Sequence, residues 1–490
     1  MGSFASCNRN GFPSIEQFTN EKRRGYSIQT ATIFIIGEVA GTGILCLPYA
    51  VAQSNWIGLP LILYCAFCAG LCGYYLSKCW MILEDLFPEY RNRLTRKPFA
   101  TIGFHAYGSW MSALVSIMLN LTRLGATTVF IILTSQLIIS LTETHIGLDQ
   151  CQWSPIVASV MLFSMWLGSP IDFWPLAYLA MLSTTIGSIC LLASLIKLLL
   201  QAPYDLQVHE NHHHHHSSMY EREQYLNQST SDYLAKIEEQ SSLSIIGIIH
   251  LARSFGTILY TFGGASAFPN FQNDMKNKKD FSKAVFFGFI GLILIYLPTA
   301  GLGYRTFGSG TKFNILMNFD TVNDPQVRIL TTIVRICFLV HCLSVVQIVI
   351  NPVFLDLEEI LHIPKKFTWK RCLFRTLIMI TLTLIAEIFP NFGQIVDLIG
   401  GSTISLMAFV LPPLFYLKLL NQSRTKILKV DDDRFIRQRP CPLRMKILFL
   451  IIITSGLVGG FISTLSTLSQ WSPLESACFF KRFESSDSYQ

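Results

Sequence analysis

Apolar residues along this chain gather in eleven windows, at about 28–54, 57–83, 110–141, 154–168, 174–200, 246–270, 281–304, 327–357, 371–388, 392–417 and 445–469. Most approach the roughly 20 residues that a helix needs to cross the hydrocarbon core of a bilayer, and only the fourth is short. Backbone polar groups in lipid must be satisfied within the segment, so the windows read as helices. The pattern predicts an all-α polytopic membrane protein with eleven transmembrane helices. A polar segment at 1–27 precedes the helical domain at 28–470, and a tail at 471–490 follows it. Within the domain, five windows (about 28–200) precede a polar loop (about 201–244). Five more follow at about 245–420, with an eleventh helix at about 445–469.

Composition agrees. Of 490 residues, 51% are hydrophobic and 14% charged, against about 25% charged in a soluble domain. The net charge of +7 is a question of which loops hold the 38 Lys and Arg, and it excludes nucleic acid as the primary partner, because the basic residues lie between apolar segments. With the N-terminus inside, 26 of the 38 fall at or beside cytoplasmic segments and seven on the other side, the asymmetry of the positive-inside rule. Lys22, Arg23 and Arg24 precede the first window, which is expected to serve as its own signal anchor. The start, Gly2 through Ser6 with Cys7 beside it, fits a weak lipidation pattern. The membrane is expected to be the plasma membrane or a lysosomal or endosomal one.

Of three Asn-x-Ser/Thr acceptors, at Asn120, Asn227 and Asn421, only Asn227 falls in a segment expected to face outward, which makes it the glycosylation candidate. The same loop holds the run His212 to His216, read first as a tolerated low-complexity tract and second as a metal or acidity sensor. The thirteen cysteines form no zinc pattern, and no metal or cofactor is expected. Cys151 and Cys478 are the two expected on the oxidising face, and spacing does not decide whether they pair.

Two windows are interrupted. The first contains Gly41-Thr42-Gly43 ahead of Pro48, and the sixth contains Tyr260-Thr261-Phe262-Gly263-Gly264 ahead of Pro269. Irregular backbone at membrane depth survives only where protein or a water-filled cavity surrounds it. A break in the first helix frees amides at a helix N-terminus, which favours a carboxylate. A break in the sixth frees carbonyls, which suit an ammonium group. Together they match a zwitterion. The two breaks open successive five-window halves, which an odd number of spans sets in opposite orientations, the pattern of a transporter's midplane site. The alternative is that small residues merely allow close helix packing.

These residues resemble the amino acid/auxin permease family of secondary transporters. Gly41 to Ala50 is similar to its first-helix signature, and Phe262-Gly263-Gly264 through Pro269, with Gln272, Asp274 and Met275, to its sixth-helix signature. His341, Gln347 and Pro352-Val353-Phe354 are similar to a segment of its plant-type, proton-coupled members. The resemblance implies a leucine-transporter-type fold of two five-helix inverted repeats plus one helix. It also implies an amino acid substrate bound by Gly41, Thr42, Gly43, Tyr260, Thr261, Phe262, Gly263 and Gly264.

Ionisable residues inside spans default to functional roles. Glu38 lies about one helical turn before Gly41 and, with His341, is a candidate for proton coupling. By resemblance to sodium-coupled relatives, which place a hydroxyl of the eighth helix next to the first break, Ser344 is the candidate ligand for sodium, the less favoured ion. Arg123 and Arg335 are available to pair with Glu38, Glu387 or Asp397, as gating pairs or static contacts. Tyr260 and Phe262 are placed either to cover a substrate or to pack the core. The absence of charge within either break suggests a neutral or small amino acid. Neither a phosphate-binding Gly-x-x-x-x-Gly-Lys-Ser/Thr nor a His-Glu-x-x-His occurs, so primary pumping and metal hydrolysis have no support. An amino acid sensor without appreciable flux, or a channel, would keep the same breaks.

Overall fold

In a computed structural model, residues 26–91, 95–142, 147–166, 174–209, 247–364, 367–429, 441–471 and 478 are described. Gly2, Cys7, the His212 to His216 run and Asn227 lie outside the described residues.

The first window is two helices, α1 (Ile28–Val39) and α2 (Leu47–Ser54), joined by a tight 3-10 turn at Thr42–Leu45. Helix α3 (Gly58–Leu86) follows, then the short α4 (Pro98–Tyr107), which corresponds to no apolar window. α4 buries Phe99 and Ile102 in a satellite core with Trp80 of α3. Next come α5 (Ser109–Thr142), α6 (Gln150–Trp166) and α7 (Trp174–His209). The sixth window is again divided, into α8 (247–261), a 3-10 turn at Gly263–Ala267 and α9 (Phe268–Asn273).

Helices α10 (Phe281–Phe307), α11 (Pro325–Ile360) and α12 (Trp369–Ile388) complete the next stretch. Helix α13 (Phe392–Ile399) runs through two π-helical turns into α14 (Leu411–Lys429), and α15 (Leu443–Ser469) is the last.

Among the described residues, seven helical stretches are long and apolar enough to cross a membrane. The other windows fall short for physical reasons. The first and sixth are broken, the fourth is α6 with 17 residues, and the ninth, α12, carries Lys370, Arg371, Arg375 and Glu387. The charge on α12 is handled internally: Arg371 Nε and Arg375 Nε donate to Glu358 of α11 at 3.0 and 2.7 Å.

α11 packs along α7 and α5, while α1 lies against α10 and α7. Backbones come closest where α8 meets the π-helical region: a Cβ on Gly400 would stand 1.9 Å from the carbonyl oxygen of Gly256, a contact that only glycine allows. At the start of α1, Tyr26 pairs with the chain after α9 in an isolated parallel bridge, donating its N–H to Asp274 O at 3.0 Å. Cys151, at the start of α6, is disulfide-bonded to Cys478 beyond α15, the pairing that spacing had left open.

Candidate substrate cavity

The interruption of the first helix is local. After α1 ends at Val39, Gly41 takes φ −63° and ψ −139°, which is not helical, and Pro48 in the first turn of α2 restarts the chain. Proline is suited to that position because the N–H it lacks has no intrahelical partner there. The sixth helix breaks at Phe262, and Pro269 stands in the first turn of α9.

Packing brings the two breaks together. A Cβ on Gly43 would stand 2.9 Å from the Cα of Thr261, so the first break is seated on the end of α8. Tyr260 and Thr42 also both line a cavity beside this contact. Tyr296 of α10 is inserted behind them, fully buried. Its single hydroxyl proton is shared between Val39 O at 2.6 Å and Thr261 O at 3.0 Å, the terminal carbonyls of α1 and α8.

A cavity of about 260 Å³ lies beside this junction. Gly41, Thr42, Gly43, Tyr260, Thr261, Gly263 and Gly264 all line it. Phe262 does not: its ring is fully buried, stacked on Phe289 at 6.0 Å and tilted against Tyr296 at 5.6 Å. Of the two placements weighed for this aromatic, the structure therefore shows it packed in the core.

Glu38 and His341 line the cavity as well, whereas Ser344, buried on α11, is not among its lining residues. His341 is fixed by α7: Nδ1 is 3.2 Å from Ala180 O and 2.5 Å from Thr184 Oγ1. A carbonyl only accepts, so the contact with Ala180 O assigns the proton of a neutral ring to Nδ1 and leaves Nε2, which faces Gly41, as an acceptor. The Glu38 side chain passes over the second break, its Cγ 3.2 Å from where a Cβ on Gly264 would lie.

Of the pairs considered for Arg123 and Arg335, the structure brings only Arg123 toward Glu38. Arg335 bonds Asp320 and Leu316 O, and Asp397 is paired with Arg253 at 3.4 Å and bonded by Thr257. Arg123, on α5, lines the cavity and interacts electrostatically with Glu38 and Asp356. Between the first break and the disulfide end of the bundle stands a chain of aromatic contacts. Tyr49 lies 4.8 Å from Phe313, which lies 5.2 Å from Phe392. Toward the other end the cavity continues past Asn270 and Phe271 of α9 and Val349 and Pro352 of α11.

Sequence reasoning missed Tyr296, Thr184, Phe130 and Asn270. Tyr296 carries a faint signal, a hydroxyl in a window of aliphatic residues, but nothing local says what it reaches.

Over residues 24–462 the chain matches the family model described as transmembrane amino acid transporter protein. It is similar to "Amino acid transporter AVT1C" of Arabidopsis thaliana, 25% identical with 91% of this chain and 70% of that protein covered. "Amino acid transporter AVT1J" of the same plant is 24% identical, over 78% of this chain and 81% of its own length. "Sodium-coupled neutral amino acid symporter 2" of Danio rerio is 29% identical over a shorter stretch, 30% of this chain and 29% of the relative. Among solved structures, a manganese transporter of Eremococcus coleocola superposes with a TM-score of 0.53 at 14% identity, covering 97% of this chain and 93% of that one. The shared feature is the fold, which is all-α, polytopic and of leucine-transporter type.

Proposed function

The chain belongs to the transmembrane amino acid transporter protein family, and on that premise we propose that it is a secondary carrier. It moves an amino acid by alternating access, with α1 and α2 and α8 and α9 rocking against the remaining helices. The observation that carries this reading is the junction of the two breaks, Gly43 seated on Thr261 beside a cavity that Glu38 and His341 also face. The amide end at Gly41 to Gly43 suits a carboxylate, and the carbonyl end of α8, with Glu38 beside it, suits an ammonium group. The zwitterionic backbone of an amino acid is what the two breaks specify.

For the coupling ion we propose the proton, with Glu38 as its carrier and His341 as a neighbour able to accept a hydrogen bond through Nε2. Sodium is the second reading. It is supported by the likeness to the sodium-coupled Danio rerio relative and would use Ser344. The orientation proposed is N-terminus cytoplasmic, from the Lys and Arg asymmetry, in a plasma or lysosomal membrane. That places the Cys151–Cys478 bond on the outer or lumenal face.

The test is uptake of labelled amino acids into proteoliposomes holding the purified chain, with and without an inward proton gradient, repeated with Glu38→Gln. Gradient-driven uptake lost in Glu38→Gln is the expected result. Uptake driven by sodium alone transfers the coupling to the Ser344 reading. Binding without flux under any gradient overturns the carrier and leaves an amino acid sensor.

A further inference from the structure

Arg123 has not been used by the two breaks. It stands in the middle of α5, lines the cavity, and its guanidinium makes no hydrogen bond and no ion pair among the described residues, only longer-range interactions with Glu38 and Asp356. Two buried arginines elsewhere are served differently: Arg375 by Glu358 and Met165 O, and Arg335 by Asp320 and Leu316 O, whereas Arg123 is half-buried and open to the cavity. Arginine stays charged at any accessible pH and offers five donors in a planar fork that fits a carboxylate. An intramembrane charge with open donors is costly unless something occupies them.

The geometry of α5 says how far away that something is. Phe130 faces His341, with ring centroids 6.5 Å apart, and His341 abuts Gly41, so Phe130 marks the level of the first break. Arg123 is seven residues earlier on the same helix, about 10 Å along its axis. A five-carbon dicarboxylic amino acid, extended, separates its two carboxyl groups by roughly 5 Å, and a hydrogen bond at each end adds about 3 Å. That length is of the same order as the rise between the two levels, and the long, flexible arginine side chain takes up the difference. Thr122, next to Arg123 on α5, and Asn270 of α9 also line the cavity.

Resting on the carrier reading above, we propose that Arg123 selects the substrate's side chain, binding the distal carboxylate of an acidic amino acid while the first break holds the α-carboxylate. The absence of charge within the two breaks pointed to neutral substrates. The charge that matters comes from a third helix.

Selectivity is measured as thermal stabilisation of the purified full chain by glutamate, glutamine, aspartate and alanine, which reads binding whether or not flux occurs. Wild type is expected to bind glutamate at least about tenfold more tightly than glutamine, the size of one charge-assisted bidentate contact. In Arg123→Gln the ratio should fall to about one, and Arg123→Lys, which keeps the charge and loses the fork, should lie between. Because each variant supplies its own ratio, a loss of folded protein does not mimic the result. A wild-type chain that binds alanine or glutamine as well as glutamate overturns the proposal. So does an unchanged ratio in Arg123→Gln, or a chloride requirement lost in that variant with selectivity intact. Binding of glutamate without uptake in proteoliposomes would instead overturn the carrier reading and leave the role of Arg123 standing.

Discussion

Gly41 lies against the imidazole of His341: a Cβ at position 41 would stand 3.1 Å from Nε2. The ring has little room to retreat, because Thr184 and Ala180 hold its other nitrogen from α7. The first break is thus pressed on a rigid abutment contributed by two other helices.

Gly41→Ala is therefore expected to overpack this contact by about 1–3 kcal/mol. If the strain falls on the bound state, apparent substrate affinity drops roughly 5- to 150-fold, read as ligand-induced thermal stabilisation. Adding His341→Ala should recover part of the loss, since the two residues share one contact. Wild-type affinity in Gly41→Ala would show that the wall yields and that the apposition is incidental.

Tyr296→Phe keeps the ring and removes the hydroxyl shared by Val39 O and Thr261 O. A buried carbonyl left without its donor costs about 1–3 kcal/mol. The expected variant melts lower than wild type and transports more slowly, because the two half-helices lose their common tie. Unchanged melting and unchanged initial rates would mean that the hydroxyl is a spectator.

The Cys151–Cys478 bond ties the start of α6 to the chain beyond α15. Opening it by Cys151→Ser or by reductant should lower the melting temperature by an amount equivalent to about 2 kcal/mol or more. It should also shift mobility on a non-reducing gel. A free thiol at Cys478 in untreated protein from an oxidising compartment would contradict this pairing.

Asp324 caps α11, accepting from the backbone N–H of Gln326 and Val327 at 2.8 Å each, and it also binds Lys197 and Gln201 of α7. Those donors hold its carboxyl well below the usual carboxylate range, the Gln201 contact most of all. A depressed carboxyl stabilises the fold above its ordinary range, and the contribution is lost as pH falls through the folded value. Asp324→Asn should melt below wild type at pH 7, with the gap narrowing below about pH 4. A gap independent of pH would assign the effect to packing instead.

Several elements were legible in the sequence because their causes are local. Gly41-Thr42-Gly43 with Pro48, and Gly263-Gly264 with Pro269, interrupt a helix by backbone preference alone, and both interruptions occur. The helical windows likewise follow from apolar length. α4 was not legible, since its ten residues are too few to read as a span and its apolar face is defined by Trp80 and Phe415, which are distant in sequence. Phe262 could have faced the cavity or the core on sequence grounds. Its stacking on Phe289, from another helix, decided the matter.

The sequence by itself determined that this chain is a polytopic helical membrane protein, where its helices break, and which chemical groups each break sets free. Those properties depend on residues within one or two turns of each other, so composition and spacing express them. Only the tertiary structure decided that Gly43 sits on Thr261, that Tyr296 joins the ends of α1 and α8, and that Arg123 opens onto the same cavity as Glu38. These appositions join residues from 35 positions apart, as for Thr261 and Tyr296, to 257 apart, as for Val39 and Tyr296. They arise from the packing of whole helices, and the spacing within one helix does not record which neighbour it will meet.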